Sequence, residues 1–130
     1  MDSQQSQIPA IVIFAFKRPE ILSQTLERLS KSRRVNEFDV YLHVDFPKTE
    51  NDVQENSAVL ETIERFGSIF NYKAVEIRQN HLGLRNSVIS FLTVLAAAHR
   101  YIVVLEDDVI VSEDFLEYQL ECLERFEFSD

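Results

Sequence analysis

The segment Tyr101-Ile102-Val103-Val104-Leu105-Glu106-Asp107-Asp108 constrains the fold more than any other part of this chain. Five apolar strand-forming residues run directly into three consecutive carboxylates. The apolar run reads as a strand buried on both faces, as in the middle of a parallel sheet. Three acids at the tip of such a strand repel one another and lose hydration. The arrangement calls for a counter-cation, and a bound divalent metal is its natural physical explanation.

Strand character recurs earlier, over residues 8–16, 38–44 and 72–78. Helical patterns fill the gaps. Pro19 is placed to open a helix whose apolar face is Ile21, Leu22, Thr25, Leu26 and Leu29. A second helix is expected over residues 53–66, with Asn51 or Asp52 as its N-cap and Gly67 as its stop. A third runs from the Asn80–Asn86 loop to near His99. Ser112 is placed to cap a last one, with Glu113 and Asp114 in its first turn. This β-α-β-α-β-α-β-α order predicts an α/β fold, a mostly parallel sheet with helices on both faces.

Ligands of such sheets bind beyond the carboxyl ends of the strands. Topology therefore collects Lys17-Arg18, Asp45, Asn80–Arg85 and Glu106–Asp108 along one edge. That edge mixes cations with carboxylates, as a phosphorylated ligand plus a metal requires. Only two glycines occur in the chain, so neither a GxGxxG fingerprint nor a Walker loop is present. What remains suits a nucleoside diphosphate held through a hard, oxygen-preferring cation, Mg2+ or Mn2+, rather than through a glycine nest.

The 130 residues suffice for one domain over residues 8–130, preceded by a polar, mobile lead-in over residues 1–7. A formal net charge of −9 argues against a nucleic-acid backbone or an anionic membrane as partner. Ten acids and one base lie between Glu106 and Asp130, while residues 1–105 carry twelve of each. The acidic excess thus begins at the carboxylate triplet. A single cysteine, Cys122, forbids an intrachain disulfide and points to a reducing compartment. With no signal-like leader and no membrane-length apolar run, the cytoplasm is the expected location.

Three blocks resemble the nucleotide-sugar half of GT-A fold glycosyltransferases, in particular family-2-like sugar transferases and the N-acetylglucosaminyltransferase I group. IVIFAFKRPEILSQTLERL is similar to their opening strand, Arg-Pro turn and first helix. YLHVDFPK is similar to the second strand with its nucleotide-contacting aspartate. NHLGLRNSVISF, followed by YIVVLEDDVIVSEDFLEYQL, is similar to the Asn-x-Gly-x segment, third helix and DxD-type motif in its Glu-Asp-Asp form.

The resemblance implies a metal-dependent transferase that takes a nucleoside-diphosphate sugar. Asp108 would be the direct metal ligand, and Glu106 and Asp107 would contact ribose or sugar hydroxyls. Asp45 would accept a hydrogen bond from the base, uracil, with Arg18 beside base or ribose. Asn80 and Gly83 would shape the phosphate loop, and Arg85 would face the diphosphate. Phe46 departs from the Gly that many relatives carry after the strand-two aspartate. No residue matches the family's general base, so the acceptor, and the half that binds it, are left unassigned. A half-length version of the fold is expected to cover its apolar surface by self-association.

Two other readings stand beside this one. The first is a non-catalytic glycosyltransferase-like module that binds nucleotide or assembles with other chains. The second is a metal-dependent nucleotidyltransferase, whose usual glycine-rich basic loop is missing. His43, His81, His99 and Cys122 read as packing, loop and helix-end residues rather than ligands.

Overall fold

The structure, a computed structural model, describes residues 5–45, 47, 49–77 and 84–127. Four strands, β1 (Ala10–Ala15), β2 (Asp39–Val44), β3 (Ala74–Ile77) and β4 (Ile102–Glu106), form one sheet in the order β3-β2-β1-β4. All three pairings are parallel. The helices are α1 (Pro19–Ser30), α2 (Glu50–Arg65), the single turn α3 (Gly67–Phe70), α4 (Leu84–Ala98) and α5 (Phe115–Glu127). No helix among the described residues is long and apolar enough to cross a membrane.

Side chains alternate across each strand, so register decides which face a residue serves. Ile11, Ile13, Val40, Leu42, Val44 and Leu105 point to one side, where Leu22, Leu26 and Leu29 of α1, Val59 and Ile63 of α2, and Leu116 and Leu120 of α5 pack on them. Ala10, Val12, Phe14 and Tyr41 point to the other side and meet Phe91 and Leu95 of α4. The expected two-faced α/β sheet is present, with three long helices on one face and one on the other. A bridge between Ser6 and His99 ties the N-terminal segment to the end of α4. There His99 donates from Nδ1 to the Ile8 carbonyl (3.0 Å), leaving Nε2 to accept the Tyr41 hydroxyl (2.5 Å).

Local differences from the sequence reading have plain causes. Helix α2 starts earlier than expected, with Thr49 at its N-cap. Asp52 sits at the third helical position of a capping box, where it accepts the Thr49 N–H at 3.2 Å. Gly67 does not end the helical path. The chain turns at Phe66, Gly67 opens α3, and Asn71 in the left-handed region (φ 51°) closes it. Helix α5 begins at Phe115 rather than directly after Ser112, whose hydroxyl donates to Asp114 Oδ1 at 2.9 Å.

The largest difference concerns β4. Among the described residues it is an edge strand paired only with β1, and Val104, facing the α4 side, is 42% exposed. Its apolar run is therefore covered on the α1/α5 face and only in part on the other, where Ile102 packs on the α4-side cluster and Val104 is exposed. Strand β3, at the opposite edge, is exposed throughout.

Replacing Leu26, fully buried between α1 and the sheet, by Ala removes packing from the larger core. We expect a loss of about 2–5 kcal/mol. Val94→Ser on the outer side of α4, 63% exposed, should change stability by no more than about 0.5 kcal/mol. Urea unfolding of the two variants checks the assignment of the core.

Candidate functional site

Parallel pairing brings the carboxyl ends of β1, β2 and β4 to one edge of the sheet. The ladder ends at Ala15↔Val44 on one side of β1 and at Phe14↔Glu106 on the other. Beyond those pairs stand Lys17 and Arg18 after β1, Asp45 after β2, and Asp107 and Asp108 after β4. The structure thus brings Arg18, Asp45, Glu106, Asp107 and Asp108 to one edge. Asn80 and Gly83 lie outside the described residues, as do Phe46 and His81. Arg85 lies in the first turn of α4, and its side chain is outside the described part.

The three acids do not project alike. Val109 N–H donates to the Glu106 carbonyl at 3.2 Å, which makes Glu106–Val109 a tight turn with Asp107 and Asp108 at its centre. Glu106 and Asp108 face solvent, whereas Asp107 is only 4% exposed. Asp107 is held at two points by α1. The buried Thr25 hydroxyl donates to its main-chain carbonyl at 2.6 Å, and the Arg18 guanidinium donates to its carboxylate Oδ1. The other guanidinium nitrogen of Arg18 reaches Asp108 Oδ2 at 3.6 Å. Arg18 and Asp107, both expected beside a ribose or sugar, are engaged with each other.

Burial is the main influence on the Asp107 carboxyl and pushes its pKa up. Arg18 opposes that rise, and the neighbouring Asp108 and Glu106 charges add to it. An ionised Asp107 therefore depends on Arg18, which Pro19 orients by fixing the start of α1.

The β2 side of the edge is built differently. Asp45 is 6% exposed, and its N–H makes the last bond across to β1, donating to the Ala15 carbonyl at 3.1 Å. Lys17 turns away from Arg18 and pairs with Asp52 of α2 at 2.9 Å. The hydrogen bond from Lys17 is the main cause that holds the Asp52 carboxyl below the usual range, with hydrogen bonds from Thr49 and the Lys17 charge adding to it against the opposing effect of burial.

Two buried polar side chains, Thr25 and Asn56, also serve this edge: sequence spacing places Thr25 on the buried face of α1 but assigns neither residue a partner. Thr25 interrupts the leucine stripe of α1. Asn56 lies with Asp52, Val59 and Ile63 on the buried stripe of α2.

The four-stranded, all-parallel sheet with helices on both faces matches an α/β fold of the GT-A, Rossmann-like kind. The glycosyltransferase-like family 2 profile matches residues 7–128, and the chain belongs to that family. Among curated proteins none matches. Among solved structures the fold is similar to S. aureus TarS, with a TM-score of 0.69 and 14% identity over 92% of this chain and 20% of TarS. TarS 1-349 in complex with UDP-GlcNAc gives a TM-score of 0.68 and 13% identity, over 90% of this chain and 31% of that one. TarS 1-349 in complex with UDP gives 0.68 and 12%, over 90% and 32%. The chain thus spans between a fifth and a third of the TarS chains it matches.

Arg18→Ala leaves the buried Asp107 carboxylate without its cation. Because burial raises the folded-state pKa of Asp107, its ionisation opposes folding, and stability is lost as pH rises through that pKa. We expect Arg18→Ala to lose about 1–3 kcal/mol at neutral pH, and the deficit to shrink in acid as Asp107 becomes neutral. Urea unfolding at several pH values checks the sign, and a deficit that grows in acid would contradict it.

Proposed function

We propose that this chain is the donor-binding part of a metal-dependent glycosyltransferase that takes a nucleoside-diphosphate sugar, with uridine as the nucleoside. The observation that carries the reading is the Glu106–Val109 turn. It presents Glu106 and Asp108 outward at the strand tips while pinning Asp107 inward, on the same edge as buried Asp45. Membership of the glycosyltransferase-like family 2 supports it, as do TarS structures solved with UDP and with UDP-GlcNAc.

The chemistry of the donor set fits a shared cation rather than an all-protein cage. Among the described residues, no three His, Cys, Asp or Glu side chains gather to hold a metal. Asp108, with its side chain 47% exposed, can give one carboxylate ligand and leave the remaining positions to diphosphate oxygens and water. Mn2+ or Mg2+ bound in this way would offset the negative charge that grows on the departing nucleoside diphosphate.

The chain's own residues divide the remaining work. Glu106 reaches ribose or sugar hydroxyls, and Asp107 fixes Arg18 beside the ribose side of the site. Asp45 accepts a hydrogen bond from the base. Asn80 and Gly83 shape the phosphate loop, and Arg85 faces the diphosphate as an acceptor hydroxyl attacks the anomeric carbon.

Calorimetric titration with UDP, GDP and CDP, with and without Mn2+, tests the proposal. UDP should bind in a Mn2+-dependent manner, and Asp108→Ala should weaken that binding by about ten-fold or more. No binding of any nucleoside diphosphate would sink it. UDP release from a UDP-sugar in the presence of Mn2+ would favour turnover over binding alone.

A further inference from the structure

Beyond the last ladder pair, Ala15↔Val44, strands β1 and β2 diverge toward their separate loops. The carbonyls of Phe16 and Asp45 are the first main-chain acceptors past that point. Both are met by one side chain from α2. Asn56 Nδ2 donates to the Phe16 carbonyl at 2.8 Å and to the Asp45 carbonyl at 3.1 Å. An amide nitrogen has two hydrogens, and here each serves a different strand. Asn56 is only 7% exposed, so water does not readily replace it.

What these two carbonyls precede gives the contact its meaning. Phe16 leads into Lys17 and Arg18, and Asp45 is itself the expected base contact. The orientation of the peptide planes after Phe16 and at Asp45 sets where those side chains begin. Asn56 is in turn placed by α2, whose capping-box residue Asp52, one helical turn earlier, is tied to Lys17 at 2.9 Å. Helix α2 therefore grips the β1 exit through both a side chain and a carbonyl, and the β2 exit through a carbonyl.

We infer that Asn56 is a positioning residue for nucleotide binding, a clasp that closes the ends of β1 and β2 and so fixes Asp45 and Arg18 relative to each other. The inference rests on the nucleotide-binding reading above, but its structural half can be read without ligand. Asn56→Ala should raise the amide hydrogen exchange of Asp45, which donates to Ala15, while leaving Leu42 in mid-strand unchanged. In the same variant UDP affinity should fall by about 10–100-fold. Asn56→Ser, which keeps one donor, should lie between and serves if the Ala variant does not fold.

Thr62→Ala is the control. Thr62 is equally buried on α2, but its hydroxyl bonds to the Ala58 carbonyl of its own helix at 2.9 Å. It should cost stability and leave UDP affinity intact. Equal losses of affinity in the Thr62 and Asn56 variants, or unchanged Asp45 exchange without Asn56, would overturn the assignment. If the unsubstituted chain binds no nucleoside diphosphate, the functional reading fails, and the exchange of Asp45 alone still decides the clasp.

Discussion

The site depends on how the protein tolerates a buried carboxylate next to two others. Asp107 loses water and sits between Glu106 and Asp108, and both effects favour its neutral form. Arg18 is the compensating charge, and it can act only if α1 starts where it does. Pro19 fixes that start, while Thr25, seven residues after Arg18, bonds the Asp107 carbonyl from two turns down the same helix. A helix held to one residue at two points about 10 Å apart along its axis has little freedom to slide. The buried charge thereby sets the register of α1 against the end of β4.

The same physics recurs on α2, with main-chain carbonyls in place of a carboxylate. Where a parallel ladder ends, acceptors are left at the edge of the core, and a buried acceptor needs a donor. Asn56 supplies it for both β1 and β2. In α2 the buried stripe is polar toward the strand tips, at Asp52 and Asn56, and mainly apolar beyond, at Val59 and Ile63, where the buried Thr62 hydroxyl bonds within the helix itself. One half of the stripe secures the loops, and the other fills the core.

Much of this was legible in the sequence, because alternation and helical spacing are strong local signals. The four strands, the parallel sheet and the shared edge for Arg18, Asp45 and Glu106–Asp108 follow from them. What escaped was set by partners distant in the chain. Nothing local to Arg18 says that it meets Asp107, and an apolar run such as Ile102–Leu105 carries no mark of whether both its faces are covered. The α2 N-cap was misplaced because Thr49, Asn51 and Asp52 are all good cap residues within one turn, and geometry chooses among them. Thr25 and Asn56 were visible as polar interruptions of buried stripes, a pattern that asks which backbone group each one serves.

The acidic C-terminal part also changes meaning once folded. Its charge appears in the sequence as a continuous run from Glu106 onward, yet two arginines of the α1–β2 connection spread across it. Arg33 pairs with Glu113, Asp114 and Glu117, and Arg34 pairs with Glu124 as well as Glu37. These exposed pairs contribute little to stability, but they offset charge along α5 and its approach. At the strand tips the solvent-facing acids of the triplet, Glu106 and Asp108, stand beside Arg18, which reaches Asp108 at 3.6 Å. Screening confines electrostatic influence to roughly 10 Å at ordinary ionic strength, so what an approaching cation senses there is set by this turn together with Arg18 rather than by the net charge of the chain.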